Sequence, residues 1–320
     1  MSTWFKNVFC YKITDDSKVF GESEIEELIE EFKIQPLPAG KLETSGFGKV
    51  VDDHYFFPVN NQCFLFSYQT DKKDIPSKLV KDMLKEMNQE FIKLNGRGMT
   101  RNETISAKEE IIDKLLPKAF IKSSNILGYI DFKNKILVVD TASPNKYDLF
   151  SSKLRSMLLG LNTEAFVIDS NIYSVLSDWV LEESIRPVNE ENALKLNESF
   201  RILDALVMKD WTLGGDTVIN FSKVELSEDV KNHITNDGLN VDSLKVNWGE
   251  KVDMFLNSNF VISKVKVLDA AIAELNELYG EGGGDNEEEL KLEYSRASYS
   301  IMVDYFSKII SDLTNLYSTR

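Results

Sequence analysis

Residues 125–132 (NILGYIDF) and 135–142 (KILVVDTA) are two apolar runs separated only by Lys133 and Asn134. Short runs rich in β-branched and aromatic residues, broken by a polar turn, specify an antiparallel hairpin. A lone hairpin is marginal in water, so other segments must extend it into a sheet and helices must cover it. The fold read from this feature is α+β, with mixed or antiparallel sheets packed against helices.

The remaining elements follow from periodicity. Residues 4–13 read as a strand, 45–58 and 62–69 as strands joined around Asn60 and Asn61, and 22–33 as a helix with Ile25, Leu28, Ile29 and Phe32 on one face. From Pro76 a helix runs to the break at Asn95 and Gly96, and a second spans about 103–116. These two predict an antiparallel pair projecting from the sheet, with Arg97 and Arg101 at its exposed tip. Ser143 and Pro144 open a helix that turns Tyr147, Phe150, Leu154 and Met157 inward. In the second half, 172–182, 227–234, 268–279 and 287–316 read as helices, and 199–208, 216–224, 241–248, 252–257 and 260–267 as strands. Gly280–Gly284 reads as a flexible break, and residues 186–189 as loop. The expected division is a central domain of 1–70 with 119–168, a helical region of 71–118, and a second α+β domain of 169–320.

Charge is unevenly distributed along the chain. The 320 residues carry a formal net charge of −15, yet 72–155 holds 17 Lys and Arg against 11 Asp and Glu, leaving 20 against 41 elsewhere. A basic island in an acidic protein predicts one surface that meets an anion, with nucleic acid as the expected polyanion. Lys114, Lys118 and Lys122 flank a proline corner within the island, whereas Lys78, Lys81 and Lys85 equally suit a solvated helix face. With 42% hydrophobic and 28% charged residues the composition is that of a globular protein. Cys10 and Cys63 lie in apolar runs and read as reduced core residues of a cytoplasmic protein. No run approaches the roughly 20 apolar residues of a membrane span, and the first residues lack a signal-peptide pattern.

Catalytic signatures are sparse. His54 and His233 are far apart, neither neighbours a cysteine, and no zinc spacing, phosphate loop or nucleophile elbow is present. Asp131 and Asp140, on neighbouring strands, are the best enzymatic candidates: together they could hold Mg²⁺ for phosphodiester cleavage. The alternative for both is hydrogen bonding at strand ends and helix caps. No cofactor or metal is expected. A protein-interaction module without DNA binding is the third reading, in keeping with the net charge.

Five segments in register resemble the bacterial RdgC family of recombination-associated proteins: 4–13 (WFKNVFCYKI), 115–120 (LLPKAF), 129–143 (YIDFKNKILVVDTAS), 176–180 (LSDWV) and 232–234 (NHI). The resemblance implies non-sequence-specific binding of double-stranded DNA by a ring-shaped homodimer of elongated, horseshoe-like subunits. It also implies association with the nucleoid and restraint of a RecA-type recombinase through the DNA. By residue, Lys118 matches the basic position of the corner and would face the hole of the ring. Phe120 matches the phenylalanine that closes a dimer interface. Lys223 matches a lining lysine of the second half, although Val224 stands where a polar neighbour is implied. Some relatives carry an exonuclease label, for which these residues offer little.

Overall fold

The computed structural model describes residues 4–60, 62–165, 172–183, 199–212, 216–224, 226–258, 261–279 and 287–318. The fold is α+β with two antiparallel sheets. The predicted hairpin is present as β5 (Phe120–Asp131) and β6 (Ile136–Val139), with Asp131 opposite Ile136. Its turn is wider than the two residues expected. Phe132–Lys135 form the loop, Lys135 takes a positive φ of 54°, and the Asp131 carboxylate accepts from the backbone and side-chain N–H groups of Asn134 (3.0 and 2.7 Å). An aspartate capping its own turn replaces the tight two-residue geometry.

The first sheet adds β1 (Phe9–Ile13), β2 (Glu43–Gly48), β3 (Phe56–Asn60), β4 (Cys63–Asp74) and β7 (Thr163–Ala165), in the order β2-β4-β5-β6-β1-β7, with β3 also pairing β4. One face is covered by α1 (Glu22–Phe32) and α4 (Pro144–Met157). Ile25 and Ile29 are buried there, as are the four α4 residues predicted to turn inward. A Cβ at Gly128 would stand 2.6 Å from the Phe150 ring, so the glycine is what lets α4 lie flat on β5.

The second sheet has the order β12-β11-β10-β8-β9. Its strands are β8 (Phe200–Lys209), β9 (Val218–Ser222), β10 (Asn240–Trp248), β11 (Val252–Asn257) and β12 (Ile262–Val267). Helices α5 (Ile172–Glu183), α6 (Glu228–Thr235), α7 (Asp269–Tyr279) and α8 (Glu287–Ser318) complete this half. One apolar cluster runs from Cys63, Leu65 and Tyr129 of the first sheet through Met302 and Phe306 of α8 to Leu244 and Leu256 of the second. Both cysteines are buried in it as free thiols, and desolvation raises their pKa values.

The run 4–13 is split between the sheets. Val8 exchanges backbone bonds with Ile262 (2.7 and 3.1 Å) and the Lys6 carbonyl accepts from Val265 (2.9 Å), while Phe9–Lys12 pair with β6. A single apolar stretch therefore serves two sheets, which periodicity alone does not distinguish from one strand. Similarly, 45–58 breaks into β2 and β3, each pairing a different half of β4. Gly280–Gly284 and residues 186–189 fall outside the described residues.

Candidate nucleic-acid interface

β4 and β5 form a ribbon paired over its full length, from Cys63 opposite Asp131 to Asp74 opposite Phe120. Its inner half is core. From Phe120 to Asn125 every β5 residue is exposed. Between the two strands run α2 (Ser77–Asn95) and α3 (Arg101–Leu115), packed on each other, then a single 3₁₀ turn over Leu116–Lys118. Gly96, at φ 68°, ends α2. A capping box starts α3: the Thr100 hydroxyl accepts from the Glu103 N–H, and the Glu103 carboxylate accepts from the Thr100 N–H.

The proline corner is built around Leu116, which is buried while Pro117 and Lys118 are exposed. Sequence reasoning missed Lys73, which anchors this corner. It is only 8% exposed, its backbone N–H donates to Leu42, and its ammonium reaches the Ala119 carbonyl at 3.4 Å. Strand alternation is the signal that could have found it, since Lys73 lies on the opposite ribbon face from Lys72. Phe120 follows at 88% exposure, among the barest large apolar side chains described. Leu94, Ile92, Leu79, Ile105 and Ile121 are also exposed on these elements. Scattered apolar residues on a surface are ordinary, and Val19, Leu159, Trp211 and Val218 are exposed elsewhere; what sets this corner apart is the nearly bare Phe120 between two exposed lysines.

The predicted basic residues divide into two groups. Lys118 and Lys122 are exposed, with no ion-pair partner among the described residues, and so is Arg101. Lys114 is tied to Glu110 at 2.6 Å one turn back. Arg97 is not a free cation. It grips Glu103 through both terminal nitrogens (2.8 and 2.9 Å) and lies over the Phe91 ring at 5.2 Å. This grip, with the Thr100 bonds, lowers the Glu103 pKa to about 2. Lys114, Lys118, Phe120 and Lys122 are adjacent in the chain at the ribbon's outer end. Arg101 stands at the far end of α3, roughly 21 Å away at 1.5 Å per residue. Lys223 belongs to the second sheet, exposed at φ 57° just after β9.

Asp131 and Asp140 are not brought together. Asp131 sits at the turn, whereas Asp140 lies beyond the other end of β6, its N–H donating to the Leu127 carbonyl. Four strand residues separate them, roughly 13 Å. The Asp140 carboxylate accepts from the backbone N–H groups of Lys6 and Asn7 (3.0 and 2.9 Å), and desolvation raises its pKa in spite of those bonds. Both aspartates thus do the hydrogen-bonding work of the simpler reading. Among the described residues no group of three or more His, Cys, Asp or Glu side chains could hold a metal ion. His233 binds Asp237 (2.7 Å) beside Phe221, and His54 closes a bridge to Val51. No described helix is long and apolar enough to cross a membrane.

Fold and surface together define a two-sheet α+β protein with an exposed ribbon that is basic and apolar at its end. A family profile described as "Putative exonuclease, RdgC" matches residues 3–319, and the chain belongs to the RdgC family. Proteins named "Recombination-associated protein RdgC" are similar throughout. That of Pseudomonas aeruginosa is 26% identical over 314 residues, 97% of this chain and 95% of its own. That of Psychromonas ingrahamii is 27% identical over 281 residues (86% and 87%), and that of Colwellia psychrerythraea 26% over 270 (83% and 83%). The family's role in recombination agrees with the resemblance read from the sequence.

Proposed function

We propose that this protein binds double-stranded DNA without sequence preference as a ring-shaped homodimer and so restrains a RecA-type recombinase. The observation that carries the proposal is the pairing of functions at one corner. Lys118 and Lys122 offer unpaired cations, and Phe120 between them offers an exposed apolar ring. Lysines neutralise phosphates and release counterions, which is blind to sequence. An exposed phenylalanine suits a contact with a second copy across a two-fold axis. Enclosure by two such contacts holds DNA even where each phosphate contact is weak, and the chain's net charge of −15 disfavours DNA binding away from its basic surfaces. Lys223 would add a cation from the second half, Arg101 one at the tip, and Lys114 one when phosphate displaces Glu110. Arg97 would contribute only if the Glu103 grip opened. The proposed location is the cytoplasm, on the nucleoid.

The test is a gel shift on plasmid and on a short duplex, with and without Mg²⁺. Retarded, intact DNA supports the proposal. Mg²⁺-dependent shortening supports the exonuclease description carried by the family profile, and no shift supports a protein-interaction module.

A further inference from the structure

The second sheet has two unlike faces. Leu206, Leu244, Val246 and Leu256 turn inward to the core together with apolar residues of α5, α6, α7 and α8. The outward positions of the inner strands carry Ser243, Lys245, Asn247, Asp253, Phe255 and Asn257, and further lysines stand on or beside the two edge strands, β12 and β9. Lys245 is paired in register with Phe255 on β11 and bonded to Asp204 on β8 (2.9 Å). Lys223, after β9, is close enough to help Lys245 lower the Asp204 pKa. On β12, Lys264 stands at φ 53° at a break in register, its ammonium 4.5 Å above the Phe255 ring. Lys266 follows, exposed, opposite Asp253. Four lysines face two aspartates here, within a chain of net charge −15.

We propose that this outer face is a phosphate-contacting surface for DNA, on which Lys223, Lys245 and Lys264 form a row across all five strands. It rests on the DNA-binding reading above and extends it from the ribbon to the second sheet. Four interstrand steps of about 4.8 Å give the row a span of roughly 19 Å. That matches the rise of five to six base pairs at about 3.4 Å along one strand. Phe255 fixes the direction of Lys264 by a cation–π contact, so less freedom is lost when phosphate arrives. Asp204 acts as an internal competitor. Its exposed pair with Lys245 is weak in water and yields to phosphate. Such a competitor makes opposite predictions for two substitutions on one surface.

The experiment is a titration of the full chain against a short labelled duplex by fluorescence anisotropy from about 50 to 300 mM salt. Lys264→Asn removes the charge with a residue that tolerates left-handed backbone. It should lower the salt slope by about one and weaken binding on the order of tenfold at the lowest salt. Asp204→Asn frees Lys245 and should tighten binding severalfold, a gain that no purely structural role gives. If Lys264→Asn fails to fold, Lys266→Gln and Asp204→Asn decide the matter. Both variants matching the parent while Lys118→Ala weakens binding would overturn the sheet-face inference alone. Absence of binding by the parent would overturn it together with the DNA-binding proposal.

Discussion

Lys72 and Lys122 stand directly opposite each other across β4 and β5 at the exposed end of the ribbon. Like charges in register destabilise an antiparallel pair by roughly 0.2–1 kcal/mol. Glu43 on β2 relieves Lys72 at 3.5 Å, while Lys122 has no ion-pair partner among the described residues. An anion bound between the two would remove the repulsion, as the proposed phosphate contact would.

Lys122→Gln should therefore leave the fold as stable as before, or gain a few tenths of a kcal/mol, while weakening DNA binding and reducing its salt slope by about one. Thermal melts and anisotropy titrations check the two halves separately. A loss of stability without change in the slope would assign Lys122 to the fold instead.

The two aspartates should respond to substitution as hydrogen-bond acceptors. Asp140→Asn keeps an oxygen for Lys6 and Asn7 and removes a charge that burial already disfavours, so stability should change little. Asp140→Ala strands two backbone donors and should cost about 1–3 kcal/mol in urea denaturation. Any Mg²⁺-dependent cleavage of DNA that vanished in both Asp131→Asn and Asp140→Asn would assign them to catalysis after all.

Glu103 gives the pH dependence. Its pKa is lowered to about 2 from the ordinary 4.5, chiefly by Arg97, so the deprotonated carboxylate is the form the fold favours. Its contribution to closing the α2–α3 turn is complete above about pH 4.5 and is lost as pH falls through 2. Carboxyl chemical shifts followed from pH 6 to 2 should show Glu103 titrating last among exposed glutamates. In Arg97→Ala its midpoint should move back up.

Much of this was legible in the sequence. Ile25 and Ile29 of α1, the inward face of α4 and the strands of the second sheet follow from periodicity, because each element buries one face only. The exposed placement of Lys118 and Phe120 agrees with the reading of charge around a proline corner; the roles given to them by family resemblance stay proposals. Much of what was hidden depends on partners distant in the chain: β5 starts at Phe120 rather than five residues later because residues 120–125, which lack apolar alternation, gain strand structure by pairing with β4. Lys264 was likewise invisible as a site because its neighbour, Phe255, lies on another strand. The Arg97–Glu103 pair, six residues apart, was within reach of the sequence through the Thr100-x-x-Glu103 capping-box pattern.

The sharpest separation of roles is at the corner. Phe120 is bare in one chain, so removing its ring costs the monomer almost nothing; Phe120→Ala should melt like the parent. If the ring is buried against a second copy, its loss should weaken that contact by roughly 1–3 kcal/mol. Light scattering should then report a shift toward monomer, with DNA affinity falling as a consequence. Lys118→Ala should do the reverse, keeping the assembly and removing about one unit of salt slope. Adding excess protein distinguishes the two cases, because mass action restores the Phe120→Ala dimer and its DNA binding but cannot restore a missing phosphate contact. Assembly unchanged by Phe120→Ala at every concentration would show that the exposed ring closes no interface, and would leave Lys118 and Lys122 as the whole function of the ribbon's end.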